Sequence, residues 1–255
     1  MRSEGKVFTK QVATPEAITC EVDGLNALSE TLATHVINEL KIPKVVAHSQ
    51  TTLSLEHIQQ IRSTPTHHIK LAKGLAQLHL VKQARYGWHQ PNFIGASVQP
   101  NIITNDWGKF FVEHRLLFQV SKVADQQLRE DYKFVLSKHK QSVEEFLDAT
   151  CNGPSLVHGD LWQGNALFSD NEGVWLIDPA VYWGDREVDI AMTELFGGFS
   201  KVFYEHYNEY APLSEHYPVK KQIFNLYHNL NHLNLFGSSY RKACDDGMSM
   251  IASLD

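Results

Sequence analysis

The chain has 255 residues, of which 43% are hydrophobic and 20% charged, a composition typical of globular proteins with one large or two small domains. Its net charge of −6 disfavours a broad nucleic-acid-binding surface. No apolar run reaches the ~18 residues that a membrane span needs. We therefore expect neither a nucleic acid nor a membrane as a partner.

The N-terminal residues 1–6 lack the apolar core of a signal peptide. Cys20, Cys151 and Cys244 are far apart in the chain, a spacing that argues against a disulfide framework. Both observations favour a cytoplasmic location.

The first 60 residues predict a β-α-β-β block. Residues 7–12 are typical of a strand, and Pro15 begins a helix to about Ala33, because proline is tolerated in a first helical turn. Residues 43–47 and 52–56 predict two more strands. We interpret residues 1–60 as a small N-terminal lobe.

From about Thr66 the apolar residues recur at helical spacing. We predict a helix capped by Asp106, a single helix over residues 124–150 and further helices over residues 186–254. Between these, residues 166–177 form two apolar runs around a turn cluster, which indicates a β-hairpin. The predicted fold class is α+β, with a larger, mostly helical lobe over residues 61–255.

The strongest chemical signal is the stretch His158-Gly159-Asp160-Leu161-Trp162-Gln163-Gly164-Asn165. An Asp followed five positions later by an Asn matches the catalytic loop of protein kinases. In such a tight loop, Asp160 can meet a substrate hydroxyl while Asn165 turns back towards a metal ion on the phosphates. We predict Asp160 as the catalytic base, with the ordinary pKa of an aspartate.

A second signal, Ile177-Asp178-Pro179, follows the predicted hairpin. The hairpin returns the chain to the end where Asn165 lies, so carboxylate and amide oxygens meet there. These are ligands that Mg²⁺ accepts beside phosphate oxygens. We predict Asn165 and Asp178 as the metal ligands.

Two further sets of residues fit ATP binding. Lys10 lies on the first predicted strand and Glu21 on the helix after it, as in the kinase pair that holds the α- and β-phosphates. Residues Glu56, His57 and Ile58 follow a predicted strand and precede the helical lobe, where an inter-lobe segment presents backbone groups to adenine.

The chain resembles the fructosamine/ketosamine kinase family, within the aminoglycoside and choline kinase superfamily. Beyond the two motifs above, the resemblance is carried by strings along nearly the whole chain: Gly87-Trp88, Asn92-Phe93-Ile94-Gly95, Gly184-Asp185-Arg186-Glu187, Glu194-Leu195-Phe196-Gly197-Gly198-Phe199 and Asn231-His232-Leu233-Asn234. The D-x-x-x-x-N spacing indicates only the superfamily, whereas the longer strings indicate the family.

The resemblance implies ATP- and Mg²⁺-dependent phosphorylation of the sugar 3-hydroxyl of a ketosamine, either a small molecule or protein-bound. It also implies that Asp189 supports the catalytic loop through backbone hydrogen bonds. We assign Trp162 and His158 to the substrate side, where an aromatic ring can stack on the sugar or the amine. For Trp162, plain packing is an equal alternative.

One departure from the family concerns the phosphate loop. Met1 lies nine residues before Lys10, and no G-x-G-x-x-G occurs. We therefore expect two strands and a turn, roughly 15–20 residues in all, to be missing. Weak or undetectable kinase activity of residues 1–255 is the expected consequence. Two alternatives stay open: a kinase of the same fold acting on an aminoglycoside- or choline-like hydroxyl, or a pseudokinase.

Overall fold

A three-stranded antiparallel sheet and one long helix form the N-terminal part of the computed structural model, which describes residues 6–254. The strands are β1 (Val7–Gln11), β2 (Val45–His48) and β3 (Thr52–Glu56), in the order β1-β3-β2. Helix α1 (Pro15–Thr34) follows β1. This matches the predicted β-α-β-β block; the prediction for residues 1–6 falls almost wholly outside the described residues.

Helix α1 begins where the sequence predicts. The Thr14 side chain accepts a hydrogen bond from the Ala17 amide at 3.2 Å, which satisfies one of the free N–H groups of the first turn. The buried residues Leu25, Leu28 and Leu32 of α1 follow three- and four-residue steps. Ile18 and Leu25 pack with Leu53 and Leu55 of β3 in a small separate core, so the apolar face of α1 fixes this helix on the sheet.

The remainder of the molecule is mostly helical. Its first long helix, α2 (Pro65–Leu80), begins with a capping box in which Thr64 and His67 hydrogen-bond each other's backbone. The other helices are α3 (Trp107–Phe111), a π-helical turn (Val112–Leu117), α4 (Phe118–Ser121), α5 (Gln126–Lys138), α6 (Lys140–Thr150), α7 (Glu187–Leu195), α8 (Lys201–Tyr210), α9 (Tyr217–Phe236) and α10 (Arg241–Ile251), with 3₁₀ turns at Gln163–Asn165 and Ser238–Tyr240.

Two helical predictions are wrong in detail. The stretch predicted as one helix over residues 124–150 is two helices, broken at His139, whose backbone leaves helical geometry. Asp106 stands at the N-cap position of α3, but its side chain makes no capping hydrogen bond. Gly108 in that first turn instead donates to the Asp148 carboxylate of α6 at 2.7 Å, so tertiary packing replaces the local cap.

Three antiparallel pairs of short strands complete the fold. They are β4 (Asn92–Ile94) with β5 (Ser97–Gln99), β6 (Ser155–Val157) with β9 (Tyr182–Gly184), and β7 (Ala166–Ser169) with β8 (Gly173–Leu176). The β7–β8 pair confirms the predicted hairpin. Because β6 pairs with β9, the chain before the catalytic loop and the chain after Asp178 lie side by side.

The main core lies in the helical part. Trp107, Phe110 and Phe111 are at most 1% exposed and pack against the rings of Tyr182 in β9 and Phe224 in α9. Among residues 6–254, no helix is long and apolar enough to cross a membrane. The architecture is the predicted α+β arrangement, a small sheet lobe on a larger helical lobe.

Candidate active site

The catalytic loop, residues 158–165, connects β6 to β7 and bends sharply at its second residue. Gly159 has φ of 83°, a backbone conformation that glycine adopts freely. A Cβ at this position would lie 2.1 Å from the Ala180 carbonyl oxygen, so the space also requires glycine. The Ala180 amide donates to the His158 carbonyl at 2.8 Å, which ties the loop to the chain after Asp178.

Asp189, at the start of α7, holds the loop from beneath. Its carboxylate accepts hydrogen bonds from the His158 amide at 2.7 Å and the Gly159 amide at 2.9 Å, which confirms the backbone support expected of this residue. His79 Nε2 lies 3.1 Å from the same carboxylate. Burial by itself raises the pKa of Asp189, but hydrogen bonds from His79 and Gly159 keep it below the usual value.

Asp160 and Asn165 lie together at the two ends of the loop. Asn165 Nδ2 donates to the Asp160 carbonyl at 2.8 Å and contacts its carboxylate at 3.3 Å. Burial, followed by the charge of Asp178, raises the pKa of Asp160 to about 7. The expectation of an ordinary aspartate pKa is therefore wrong, because the protein removes much of the water that stabilises the carboxylate charge.

Asp178 reaches the same place from the β7–β8 hairpin. The Ile177 amide donates to the Asn165 carbonyl at 3.1 Å, and Asp178 has φ of 53°, which turns its side chain out of the hairpin. Its carboxylate and the Asn165 amide line one cavity. This oxygen donor set fits Mg²⁺, which takes one or two protein ligands beside phosphate oxygens. Within residues 6–254, no group of three or more His, Cys, Asp or Glu could hold a metal alone.

Lys10 pairs with two carboxylates, those of Glu21 and Asp178. Its Nζ lies 2.8 Å from Glu21 Oε1 and 2.6 Å from Asp178 Oδ1. Burial by itself lowers the pKa of Lys10, but Asp178 and Glu21 outweigh it and raise that pKa above its usual value. The lysine is therefore a fixed cation, and the predicted Lys10–Glu21 proximity is confirmed.

A cavity of about 440 Å³ brings most of the predicted residues together. Lys10, Glu21, Asp160, Trp162, Asn165 and Asp178 all line it. The Trp162 ring is 40% exposed and covers Gly164, where a Cβ would lie 2.3 Å from the ring. One flat face of the indole therefore packs on the loop.

Four predicted residues lie elsewhere. His158 is fully buried, with Nε2 2.9 Å from the Ile177 carbonyl, so direct contact with substrate does not fit its position. Glu56, His57 and Ile58 do not line the cavity. The amides of Glu56 and His57 donate to the carbonyls of Lys44 and Lys6, so these two donors are used inside the sheet.

Other residues line the cavity without having been predicted as site residues. Asn92, Phe93, Gly95 and Ala96 enter it from the β4–β5 pair, and Cys20 enters it from α1. Each strand of this pair has only three residues, too few for a recognisable alternating pattern. Only the family-like string at Asn92 marks the region in the sequence.

The sequence matches one family over almost its full length. The matched family is fructosamine kinase, over residues 2–253. The chain belongs to the fructosamine kinase family. Membership of this family makes the protein a kinase. Four of its residues line one cavity: Lys10, Asp160, Asn165 and Asp178.

Relatives of this fructosamine kinase family member carry related names. A protein of Synechocystis sp., named "probable ketoamine kinase", is 38% identical over 248 residues, covering 94% of this chain and 80% of its own length. "Protein-ribulosamine 3-kinase, chloroplastic" of Arabidopsis thaliana is 30% identical over 253 residues, covering 96% and 76%.

Solved structures agree on the fold. A candidate fructosamine-3-kinase from Thermobifida fusca superimposes with a TM-score of 0.84 at 28% identity, covering 97% of this chain and 85% of its own. The choline kinase LicA from Streptococcus pneumoniae gives a TM-score of 0.64 at 16% identity, covering 98% of this chain and 87% of its own. The second likeness shows the shared kinase-like fold alone.

Proposed function

We propose that this chain transfers the γ-phosphoryl group of ATP to the sugar 3-hydroxyl of a ketosamine, small or protein-bound. The hydroxyl oxygen forms the new bond to phosphorus, ADP leaves, and Asp160 accepts the hydroxyl proton. The phosphorylated ketosamine is unstable and releases the amine, so the reaction serves deglycation. The names of the relatives support this substrate class.

In this proposal each residue of the cavity has one role. Asp160 orients the hydroxyl, and Lys10, held by Glu21, contacts the α- and β-phosphates. Asn165 and Asp178 would hold Mg²⁺, which when bound neutralises charge on the phosphates. Positioning and charge neutralisation account for most of the rate enhancement in such transfers.

The observation that carries the proposal is the charge of the cavity wall. Three carboxylates, Glu21, Asp160 and Asp178, face a single lysine, Lys10, among the described residues that line the cavity. This excess of negative charge suits a metal ion and the ammonium group of a glycated amine. The half-exposed Trp162 ring adds a surface on which a sugar or a cation can stack.

The remaining assignments complete the proposal. We assign residues 1–60 to the nucleotide-binding lobe and residues 61–255 to the lobe with the catalytic loop. Adenine lies beside Glu56, His57 and Ile58, contacted by backbone groups other than the two amides used in the sheet. We propose a cytoplasmic location, because sugars and amines that form ketosamines occur together there.

A substrate panel tests this function. The protein is incubated with Mg·ATP and, separately, a fructosyl amino acid, its free amino acid, an aminoglycoside and choline, and ADP formation is followed. We expect ADP only with the fructosyl compound, and ³¹P NMR should show a phosphate ester on the sugar C3 oxygen. Faster turnover of the aminoglycoside or choline would refute the ketosamine assignment.

A further inference from the structure

Residues 87–101 run from the helical lobe to α1 and back, and we call this segment the clasp. It contains β4, a turn and β5. At its start, Gly87 exchanges backbone hydrogen bonds of 2.8 and 2.9 Å with Trp183. A Cβ on Gly87 would lie 1.6 Å from the Ile102 carbonyl oxygen, so only glycine allows this close approach.

One part of the clasp holds α1. Trp88 Nε1 donates to Asp23 Oδ2 at 2.8 Å, and Cys20 Sγ donates to the Pro91 carbonyl at 3.3 Å. Trp88 is 8% exposed, whereas the Asp23 side chain is 31% exposed and also accepts a hydrogen bond from Gln90 at 3.3 Å. Glu21 lies on α1 between the two held residues, and its position beside Lys10 therefore depends on these contacts.

Another part of the clasp holds the chain that follows Asp178. Asn92 Nδ2 donates to the Val181 carbonyl at 2.8 Å, and Gln99 Nε2 donates to the Ala180 carbonyl at 3.1 Å. Both amide side chains are at most 3% exposed. The backbone within three residues of Asp178 is thus held by the clasp as well as by the catalytic loop.

Further buried groups fix the orientation of these two amides. The Tyr227 hydroxyl donates to Gln99 Oε1 at 2.8 Å, and Asn92 Oδ1 accepts from Gln99 at 2.8 Å and from Asn101 at 2.9 Å. Arg115 in turn donates to Asn101 Oδ1 at 2.8 Å. With oxygen and nitrogen both engaged, neither amide can flip without breaking two hydrogen bonds.

The tip of the clasp belongs to the cavity. Phe93, Gly95 and Ala96 line it together with Trp162. The clasp therefore contacts three things at once: the helix that carries Glu21, the chain that carries Asp178 and the space for substrate.

We propose that the clasp is a positioning element for phosphoryl transfer, acting through Trp88 on Glu21 and Lys10 and through Gln99 on Asp178. The proposal rests on the proposed function above. Trp88 and Gln99 touch no reacting group, so they act only through the residues they hold. Because the two contacts lie at different ends of the clasp, their effects separate: Trp88 governs nucleotide binding and Gln99 governs divalent-cation binding.

The Trp88 contact is tested with Trp88→Phe, which keeps an aromatic ring and removes the N–H bonded to Asp23. We expect KM for ATP and the calorimetric dissociation constant for ADP to rise about tenfold, the effect of losing one charge-assisted hydrogen bond. KM for the ketosamine should change by less than about twofold. Val98→Ala, on the exposed side of β5, is the matched control and should equal the wild type.

The Gln99 contact is tested with Gln99→Met, which keeps the side-chain length and removes all three hydrogen bonds of the Gln99 side chain, including the one to the Ala180 carbonyl. Calorimetric titration of Mg²⁺ into the ADP-bound protein should show about tenfold weaker binding of the ion. Tyr227→Phe leaves Gln99 in place without its hydroxyl donor, so a smaller shift of about threefold in the same direction is expected.

The outcomes separate the proposals. If the variants, assayed below their melting temperatures, lose thermal stability but keep wild-type constants for ADP and Mg²⁺, the clasp is only structural and the proposal is wrong. Equal effects of both variants on both constants would also overturn it, because the two contacts would not act separately. If the wild type phosphorylates no ketosamine while Trp88→Phe still weakens ADP binding, the proposed function fails and the clasp stands.

Discussion

The two sides of the cavity are built differently. On the side proposed for the nucleotide, which we call the nucleotide side, Lys10 and Asp178 form an ion pair in which the Asp178 side chain is 46% exposed. The sheet beneath this pair has a separate core of four buried side chains among the described residues. On the catalytic-loop side, Asp189 and His158 are completely buried, and the His158 backbone amide donates a hydrogen bond to the Asp189 carboxylate. Charge dominates the first side, whereas buried hydrogen bonding dominates the second.

Because of this difference, substitutions on the two sides should affect catalysis and folding stability differently. Exposed ion pairs contribute little to folding, so substitutions on the nucleotide side should change catalysis and leave the protein folded. Buried charges that lose a partner are costly, so substitutions beneath the catalytic loop should affect folding and catalysis together. Each prediction below measures one side of this comparison.

The largest effect is expected for Asp178→Asn. We expect kcat to fall by more than about 10³-fold, because the carboxylate proposed for the metal ion is lost, while thermal stability changes little. Asparagine is the appropriate replacement because it tolerates the positive φ of this position. Steady-state kinetics and circular dichroism check this, and near-wild-type kcat at saturating Mg²⁺ would remove Asp178 from the metal site.

Asp189→Asn should damage both properties. The Asp189 carboxylate uses both of its oxygens for the His158 amide, the Gly159 amide and His79, whereas asparagine has only one oxygen and an NH₂ group in place of the other. We therefore expect the free energy of unfolding to fall by about 3–5 kcal/mol. Urea denaturation measures this change. A variant with wild-type stability would contradict the view that buried hydrogen bonds hold this side. Glu205→Gln, at an exposed ion pair, is the control and should change little.

Lys10→Met tests the nucleotide side again, with an intermediate effect. We expect kcat/KM for ATP to fall about 10²-fold, since a fixed cation near the phosphates is removed. The free energy of unfolding should change by less than about 1 kcal/mol, because the ion pair is partly solvated. Glu21→Gln, which leaves the lysine in place, should reduce kcat/KM for ATP less than Lys10→Met does. An equal or larger loss would contradict the proposal that Lys10 contacts the phosphates and Glu21 only holds Lys10.

The smallest effect is a dependence on pH. With a pKa of about 7, Asp160 is mostly protonated at pH 6 and ionised at pH 8, so kcat/KM should fall about tenfold from pH 8 to 6. Because this pKa lies above that of the unfolded chain, the stability contribution of Asp160 is greatest below the unfolded pKa and is lost as pH rises through about 7. Asp160→Asn, which carries no titrating carboxylate at this position, should therefore be more stable than the wild type at pH 8. A flat wild-type profile between pH 6 and 8 would show that Asp160 is already ionised.

Much of the fold was predictable because local patterns produced it. The Thr14-Pro15 start of α1 and the turn cluster of the β7–β8 hairpin act over a few residues, and both lie where the sequence predicts. The break at His139 was missed because the apolar pattern continues across it. The β4 and β5 strands were missed because each has only three residues, too few for an alternating pattern, although they pair with each other locally.

The sequence by itself determined the loop chemistry, since Asp160 and Asn165 are brought together by a turn of five residues. It also determined the order of strand, helix and hairpin that delivers Lys10, Glu21 and Asp178. Only the tertiary structure decided that Lys10 meets Asp178 across 168 positions of sequence and that burial raises the pKa of Asp160. Both features depend on residues that are far apart in the sequence, so no local sequence pattern predicts them.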